Sequence, residues 1–345
     1  MTTVRHFPYE DAPTQQYTAQ FHTHPNEPPR NGYRYPAHKL ADIYDGHRCD
    51  ILAISNKKNG GEMPWPWTEW SEFPYDWEDR YPIQNHGEGP ADQELDLLAI
   101  RGNYDKVDNV FNTIESDFVN EDLVGGMDRV EAAVEQNALC WWPHPGRYWN
   151  VEDTHEYDLE DLIEVFENYP SDELLGIEVW NQGYRYRDLY LYDHLLTEFY
   201  RREEGFRPIY SLAVDDMSGS GSKEDDFDLN SGYCELFMDE LTVPAFRNAM
   251  ENGHWYPSVA RPTGELPPVI ESVEHDEADG RLRVNASNYD HAVWISEGEV
   301  IETGTELDYE SNDEVRSYVR AHLSRDGRKG EATTQPIAFE VNNDD

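Results

Sequence analysis

Histidine, aspartate and glutamate hold divalent metals and move protons near neutral pH, and three short stretches of this chain concentrate them. Phe21-His22-Thr23-His24 sets two imidazoles at i and i+2. At the end of a strand such a pair can aim both rings at one ion, although ordinary packing uses the same spacing. Trp142-Pro143-His144-Pro145-Gly146-Arg147 locks His144 between two prolines, which fixes its direction as a ligand requires. Val214-Asp215-Asp216-Met217-Ser218 supplies adjacent carboxylates, able to ligate a metal or accept a proton. Lys57 and Arg147 are candidate phosphate contacts, with a turn role for Lys57 and ion pairing for Arg147 as alternatives. Cys49, Cys140 and Cys234 are too widely spaced for a zinc knuckle, and no G-x-S-x-G elbow or glycine-rich phosphate loop occurs.

Those residues need elements to carry them. Apolar runs fall at 17–22, 50–55, 95–101, 138–142, 174–180 and 208–214. Between them, apolar spacing of three and four predicts helices at 127–136, 158–168, 189–199 and 243–251. Strands alternating with helices predict parallel βα units, and six such units predict a closed TIM-like barrel rather than an open sheet. The three stretches then sit at the C-terminal ends of the first, fourth and sixth strands, where such barrels build their sites. A Trp-rich insertion at about 62–90 interrupts the rhythm. It reads as a loop packed by its own aromatics, or as a lid or stacking platform. Past 261–268 the pattern changes to alternating runs at 281–287, 291–296, 317–323 and 336–341, broken by Gly turns. The expected organisation is a barrel domain over 1–260 and a small β-sandwich over 261–345.

Composition bounds the function. The 345 residues carry a formal charge of −44, yet 38% are hydrophobic and Trp, Tyr and Phe number 10, 22 and 12. Disordered chains are poor in aromatics, so the charge reads as a carboxylate coat on a folded protein. Such a coat with scarce Lys suits molar salt, which screens self-repulsion, and predicts a halophilic source. It excludes a broad nucleic-acid-binding surface. With no apolar run near ~18 residues and no apolar signal-peptide core, the expectation is a soluble protein without a membrane contact, in the cytoplasm or in a particle.

The order of motifs resembles the polymerase-and-histidinol-phosphatase (PHP) family of metal-dependent phosphoesterases. The pieces that carry it are His22-Thr23-His24, Trp142-Pro-His-Pro-Gly-Arg147, Gly176-Ile-Glu-Val-Trp-Asn-Gln182 and Ala213-Val-Asp-Asp216, over roughly residues 17–341. The resemblance implies an α/β fold: a distorted (β/α)7 TIM-like barrel with metals at its mouth, followed by an all-β sandwich. It implies His22, His24, His144 and Asp216 as metal ligands, with Glu178 and Asn181 supporting the rim. Four positions depart from the family pattern. Asn56 and Lys57 stand where catalytic members carry Asp-His, Tyr104 where a Glu bridges two metals, and Ser218 where the last His falls. What survives is a shell for one divalent ion, Zn, Mn or Fe. The expectation is therefore a PHP-like protein with a largely dismantled centre and a binding or structural role, meeting a protein partner through the sandwich. The alternative is a phosphoesterase that cleaves a small phosphoester with one residual metal and Asp215 or Asp216 as proton acceptor.

Overall fold

A computed structural model describes residues 2–24, 37–46, 49–58, 83–84, 98–105, 112–114, 138–147, 159–181, 186–216, 231–260, 266–326 and 329–340. The predicted helix at 127–136, nearly all of the Trp-rich insertion, most of the 261–268 linker and Ser218 lie outside the described residues.

The first part of the chain forms β1 (Thr3–His6), β2 (Gln16–Thr23), α1 (Ala37–Asp45), β3 (Ile51–Lys58), β4 (Ile83–Gln84), β5 (Leu98–Asp105), β6 (Asn112–Ile114) and β7 (Leu139–Trp142). It continues with α2 (Leu159–Asn168), β8 (Leu174–Asn181), α3 (Tyr186–Tyr200), β9 (Tyr210–Val214), β10 (Gly232–Phe237), α4 (Val243–Asn252) and β11 (Trp255–Ala260). β2, β3 and β5 are parallel neighbours, as are β7, β8 and β9, and the short antiparallel β6 joins the two sets. β10 pairs antiparallel with both β2 and β11.

The sheet curls. β9 is last in its hydrogen-bonded order, yet it lies against β10 and β11. One core accordingly joins Phe21 of β2, Ala53 of β3, Trp141 of β7, Leu212 of β9 and Cys234 of β10 with Phe246 of α4. A second core packs α2 and α3 on β7 and β8 through Leu162, Phe166, Leu195, Phe199, Trp142 and Ile177. The alternation predicts six strand–helix units, and the family resemblance implies seven. The structure shows a mixed, curled sheet with four helices among the described residues. β6 and β10 enter antiparallel and need no crossover helix, and the expected helix at 127–136 lies outside the described residues.

Helix α4 shows how locally some boundaries are set. The Thr242 hydroxyl accepts from Ala245 N at its start, and Gly253 closes it with φ 75°. A Cβ on Gly253 would strike the Tyr210 ring, so this turn needs glycine for space as well as for its backbone.

The remaining residues are all β: β12 (Val269–Asp276), β13 (Arg281–Ser287), β14 (His291–Ser296), β15 (Glu299–Thr303), β16 (Glu306–Asp308), β17 (Tyr318–Ser324), β18 (Gly330–Thr333) and β19 (Ile337–Glu340). β12, β13 and β16 form a separate three-stranded sheet, whereas β14, β15, β17, β18 and β19 belong to the large one. Ile270, Leu282, Trp294, Leu307 and Leu323 fill the core of this region. Two pairings tie it to the first region. β18 continues the sheet from β11, and β19 pairs with the N-terminal β1. No described helix is long and apolar enough to cross a membrane.

Candidate metal centre

β2 ends in Thr23, whose hydroxyl donates to Ala53 O at 2.7 Å and pins the strand end to β3. On either side of that anchor His22 and His24 turn their rings together, Nε2 to Nε2 at 3.0 Å. Asp216 follows β9 and places Oδ1 at 3.2 Å from both of these nitrogens. His144 follows β7. Its ring stacks on that of His22 at 5.7 Å, and its Nε2 lies 3.9 Å from the other oxygen of Asp216. All four side chains are buried.

Two of these residues reach the centre through uncommon backbone. His144 has φ 33° and Asp216 φ 47°, the left-handed region that favours glycine. Such conformations cost of order 1–3 kcal/mol each and persist where the surroundings over-determine them. Around His144 the constraint is visible. Gly146 N donates to the buried Asp188 carboxylate of α3, and a Cβ on Gly146 would come within 2.9 Å of Asp188 N.

Glu178 decides how His22 is used. One carboxylate oxygen lies 2.8 Å from His22 Nδ1 and accepts from Trp141 Nε1 at 3.0 Å; the other accepts from Asn181 Nδ2 at 2.8 Å. Burial pushes this carboxyl up, but His22, His144 and the Trp141 hydrogen bond together hold it below the usual range, so it is an acceptor. His22 must then donate from Nδ1, which leaves the Nε2 lone pair facing His24 and Asp216. Two overlapping groups could hold a metal: His22, His24 and Asp216, or His22, His144 and Glu178. The hydrogen bonds favour the first as the ligand set and make Glu178 the carboxylate behind a ligating histidine.

The spacing fits an ion. Bonds of about 2.0–2.2 Å in tetrahedral or octahedral geometry put neighbouring ligand atoms about 2.9–3.5 Å apart. The three atoms here are 3.0, 3.2 and 3.2 Å apart. Burial raises the Asp216 carboxyl, yet His22, His24 and His144 take it well below its ordinary value, so it presents a negative charge. Two imidazoles and one carboxylate suit Zn, Mn or Fe.

Asp215 points elsewhere. Its Oδ1 accepts from Ser231 N at 2.8 Å, Ser231 Oγ at 3.0 Å and Gly232 N at 3.0 Å, and Tyr44 Oη donates to Oδ2 at 3.1 Å. It ties the end of β9 to the start of β10. Asn56, Lys57 and Tyr104 lie in the parallel pair β3–β5, where Lys57 and Tyr104 are register partners. Arg147 ends a 3-10 turn over Pro145–Arg147. Sequence reasoning placed Glu178 at the rim and did not connect it to His22. Its signal was a carboxylate inside an eight-residue strand buried throughout, which has to be paired.

No family model matches the chain, and no curated protein matches it. Among solved structures, it superposes on a two-domain protein containing a predicted PHP-like metal-dependent phosphoesterase from Bacteroides vulgatus, with TM-score 0.50, 14% identity and 98% of each chain covered. That superposition runs through both regions, so the two-part fold is shared. The lesion-specific endonuclease PfuEndoQ from Pyrococcus furiosus superposes at TM-score 0.36 and 10% identity, over 69% of this chain and 56% of that one. That fit is too loose to establish a common fold.

Proposed function

We propose that the chain is a PHP-type metal-dependent phosphoesterase that works with a single divalent ion held by His22, His24 and Asp216. The observation that carries this reading is the triangle of 3.0, 3.2 and 3.2 Å between His22 Nε2, His24 Nε2 and Asp216 Oδ1, backed by Glu178 on His22 Nδ1. A bound divalent ion supplies a Lewis acid for a phosphoryl oxygen and lowers the pKa of a coordinated water. Glu178 keeps His22 in the ligating tautomer, Asp216 holds a negative charge toward the ion, and His144 stands beside Asp216 to pass a proton at Nε2. Asp215 positions the strand.

A second reading is a non-catalytic descendant that keeps the ion, or the site, for binding. It is favoured by Asn56, Lys57, Tyr104 and Ser218, which stand where the family has metal ligands. Metal analysis of protein purified without chelators, followed by assay on an aryl phosphate with Mn²⁺ or Zn²⁺ in high salt, separates the two. About one ion per chain with metal-dependent turnover supports the first. One ion without turnover supports the second, and a chain that never takes up metal removes the centre from both.

Three wider features belong to the same proposal. The division into 1–260 and 261–345 follows the family plan of a (β/α)7 barrel plus sandwich, and the sandwich is the face offered to a protein partner. The charge of −44 supports a molar-salt setting. The melting temperature should climb steeply with KCl, and a flat response would argue that the acids are balanced internally.

A further inference from the structure

Among the described residues, the strand that delivers Asp216 is hydrogen-bonded to another strand on one side. β9 pairs with β8 and ends the sheet order. On its other side the alternate residues 211, 213 and 215 are met by side chains. Ser211 N donates to Gln335 Oε1 at 2.8 Å, Ala213 N to Cys234 Sγ at 3.5 Å, and Asp215 N to Gln20 Oε1 at 3.2 Å. An unmet buried N–H would be destabilising at each place.

The three substitutes are unequal. Cys234 offers a weak sulfur acceptor. Gln20 sits in β2 two residues before His22, and its Nε2 donates to Gly232 O, so it bridges β9 to β10 beside the centre. Gln335 reads a whole residue. Besides accepting from Ser211 N, its Oε1 accepts from Ser211 Oγ at 3.1 Å, and its Nε2 donates to Ser211 O at 2.9 Å. The carboxamide therefore replaces a strand neighbour in both hydrogen-bonding directions, and both residues are wholly buried.

Gln335 is itself held. Its backbone N–H donates to Tyr9 Oη at 2.7 Å, and that hydroxyl donates to Trp255 O at 3.1 Å. The Trp255 indole closes the ring by donating to Ser211 O at 3.0 Å. Segments around Tyr9, Trp255 and Gln335 thus converge on one residue of β9. Asp216 lies five residues further on, about 16 Å at the rise of a strand.

We infer that Gln335 is a positioning residue for the metal centre: from the C-terminal region it fixes β9 lengthwise through Ser211, and so sets where Asp216 meets His22 and His24. The inference rests on the metal-centre reading above. Metal ligation tolerates only ~0.2 Å in ligand distance, and while the β8 ladder fixes one edge of β9, Gln335 fixes the other at Ser211.

The test measures Zn²⁺ affinity by competition with a chromophoric chelator, and the unfolding midpoint, for the full chain. Gln335→Met keeps the length of the side chain and removes both bonds to the Ser211 backbone. Gln335→Glu keeps the acceptor and loses the donor. Tyr318→Phe removes a hydroxyl that donates to Asp193 Oδ1 at 2.8 Å in the seam between α3 and the C-terminal region, and serves as a control of stability alone. The expected result is Zn²⁺ binding weakened about tenfold in Gln335→Met and less in Gln335→Glu, with Tyr318→Phe lowering the midpoint at unchanged affinity. If Gln335→Met does not fold, Gln335→Glu against Tyr318→Phe gives the same reading. Lowered midpoints with parental Zn²⁺ affinity in the Gln335 variants would overturn the inference and leave Gln335 a structural plug. A parent that takes up no Zn²⁺ would instead overturn the centre, and the positioning role with it.

Discussion

At the mouth of the curled sheet, the described partners of Asp216 and Glu178 are imidazoles, together with the Trp141 and Asn181 N–H groups. At the seam between α3 and β17, Asp193 meets the guanidinium of Arg320, Nε to Oδ1 at 2.9 Å and Nη2 to Oδ2 at 2.7 Å, with Tyr318 Oη donating to the same carboxylate. Both clusters take carboxylates out of water, and both sit among apolar residues. They differ in who supplies the positive charge. Arg320 is charged at every accessible pH, so the seam is closed by the protein alone. An imidazole is charged only when protonated, and His22 and His24 both turn Nε2 toward the same oxygen of Asp216. The seam holds two regions together by its own charges, whereas on the proposed reading the mouth leaves part of its positive charge to a bound cation.

The largest effect should separate the two clusters by what each loses. His22→Ala removes a ligand and the partner of Glu178, and the metal bound per chain should fall from about one to near zero. Circular dichroism of the variant checks that the fold survives. Unchanged metal content would shift the ligand set to other residues and erase the contrast.

Next in size is the seam. Breaking a buried ion pair by removing one partner costs about 3–5 kcal/mol, because the other charge is stranded. Arg320→Leu should therefore lower the unfolding free energy by about that amount, with little change in metal content. Adding Asp193→Leu should recover part of the loss. A single variant as stable as the parent would show that Asp193 is rehydrated at no cost and that the seam is not closed.

A smaller effect sharpens the reading of the mouth. Glu178→Gln keeps the shape and the acceptor toward Trp141 but removes the charge behind His22. Changes of this kind weaken metal binding about 10–100-fold. Chelator competition should show that loss while unfolding in the presence of EDTA is nearly unaltered. Equal affinities would make Glu178 a packing residue.

How much of this was legible in the sequence depends on how local the cause is. The runs at 281–287 and 291–296 coincide with β13 and β14, since alternation is written in adjacent residues and Gly280 and Gly298 turn the chain before the first and after the second. The parallel strands were legible for the same reason. A closed sheet was expected from the number of strands, but the contacts that curl it were not legible, because Gln20, Gln335 and Asp215 meet backbone far away in sequence. Among the site residues, His22, His24 and Asp216 were legible as metal-binding types in motifs. Which acid of Asp215-Asp216 faces the histidines was open in the motif. Both follow the end of β9, and the left-handed backbone of Asp216 turns it to the histidines while Asp215 holds β10. Glu178 was visible as a charge inside a buried strand, but nothing in its neighbours names His22, which is 156 residues distant.

A further, half-buried carboxylate tests the comparison where the described hydrogen-bond partner is a neutral hydroxyl. Glu235 in β10 accepts from Thr18 Oγ1, at 3.0 and 3.2 Å to its two oxygens. Burial is the main cause that pushes its carboxyl up to about 7; Thr18 opposes this and nearby Asp50 adds to it. A folded-state value above the unfolded one means that the folded chain binds this proton more tightly. The contribution to stability is present below the ordinary glutamate pKa and is lost as pH rises through about 7. One such group gives a slope of at most about 1.4 kcal/mol per pH unit within that window. The coat of surface acids adds a slope of its own, so the informative quantity is the difference between parent and Glu235→Gln. Denaturant midpoints at pH 5 and pH 8 in constant salt should fall more for the parent, because the glutamine neither ionises nor has to be neutralised. Parallel lines for the two chains would mean that Glu235 is ionised in the fold at both pH values. It would then behave like Asp216 and Glu178, whose neighbours hold them charged, and the division between open and closed clusters would have to be redrawn to include β10.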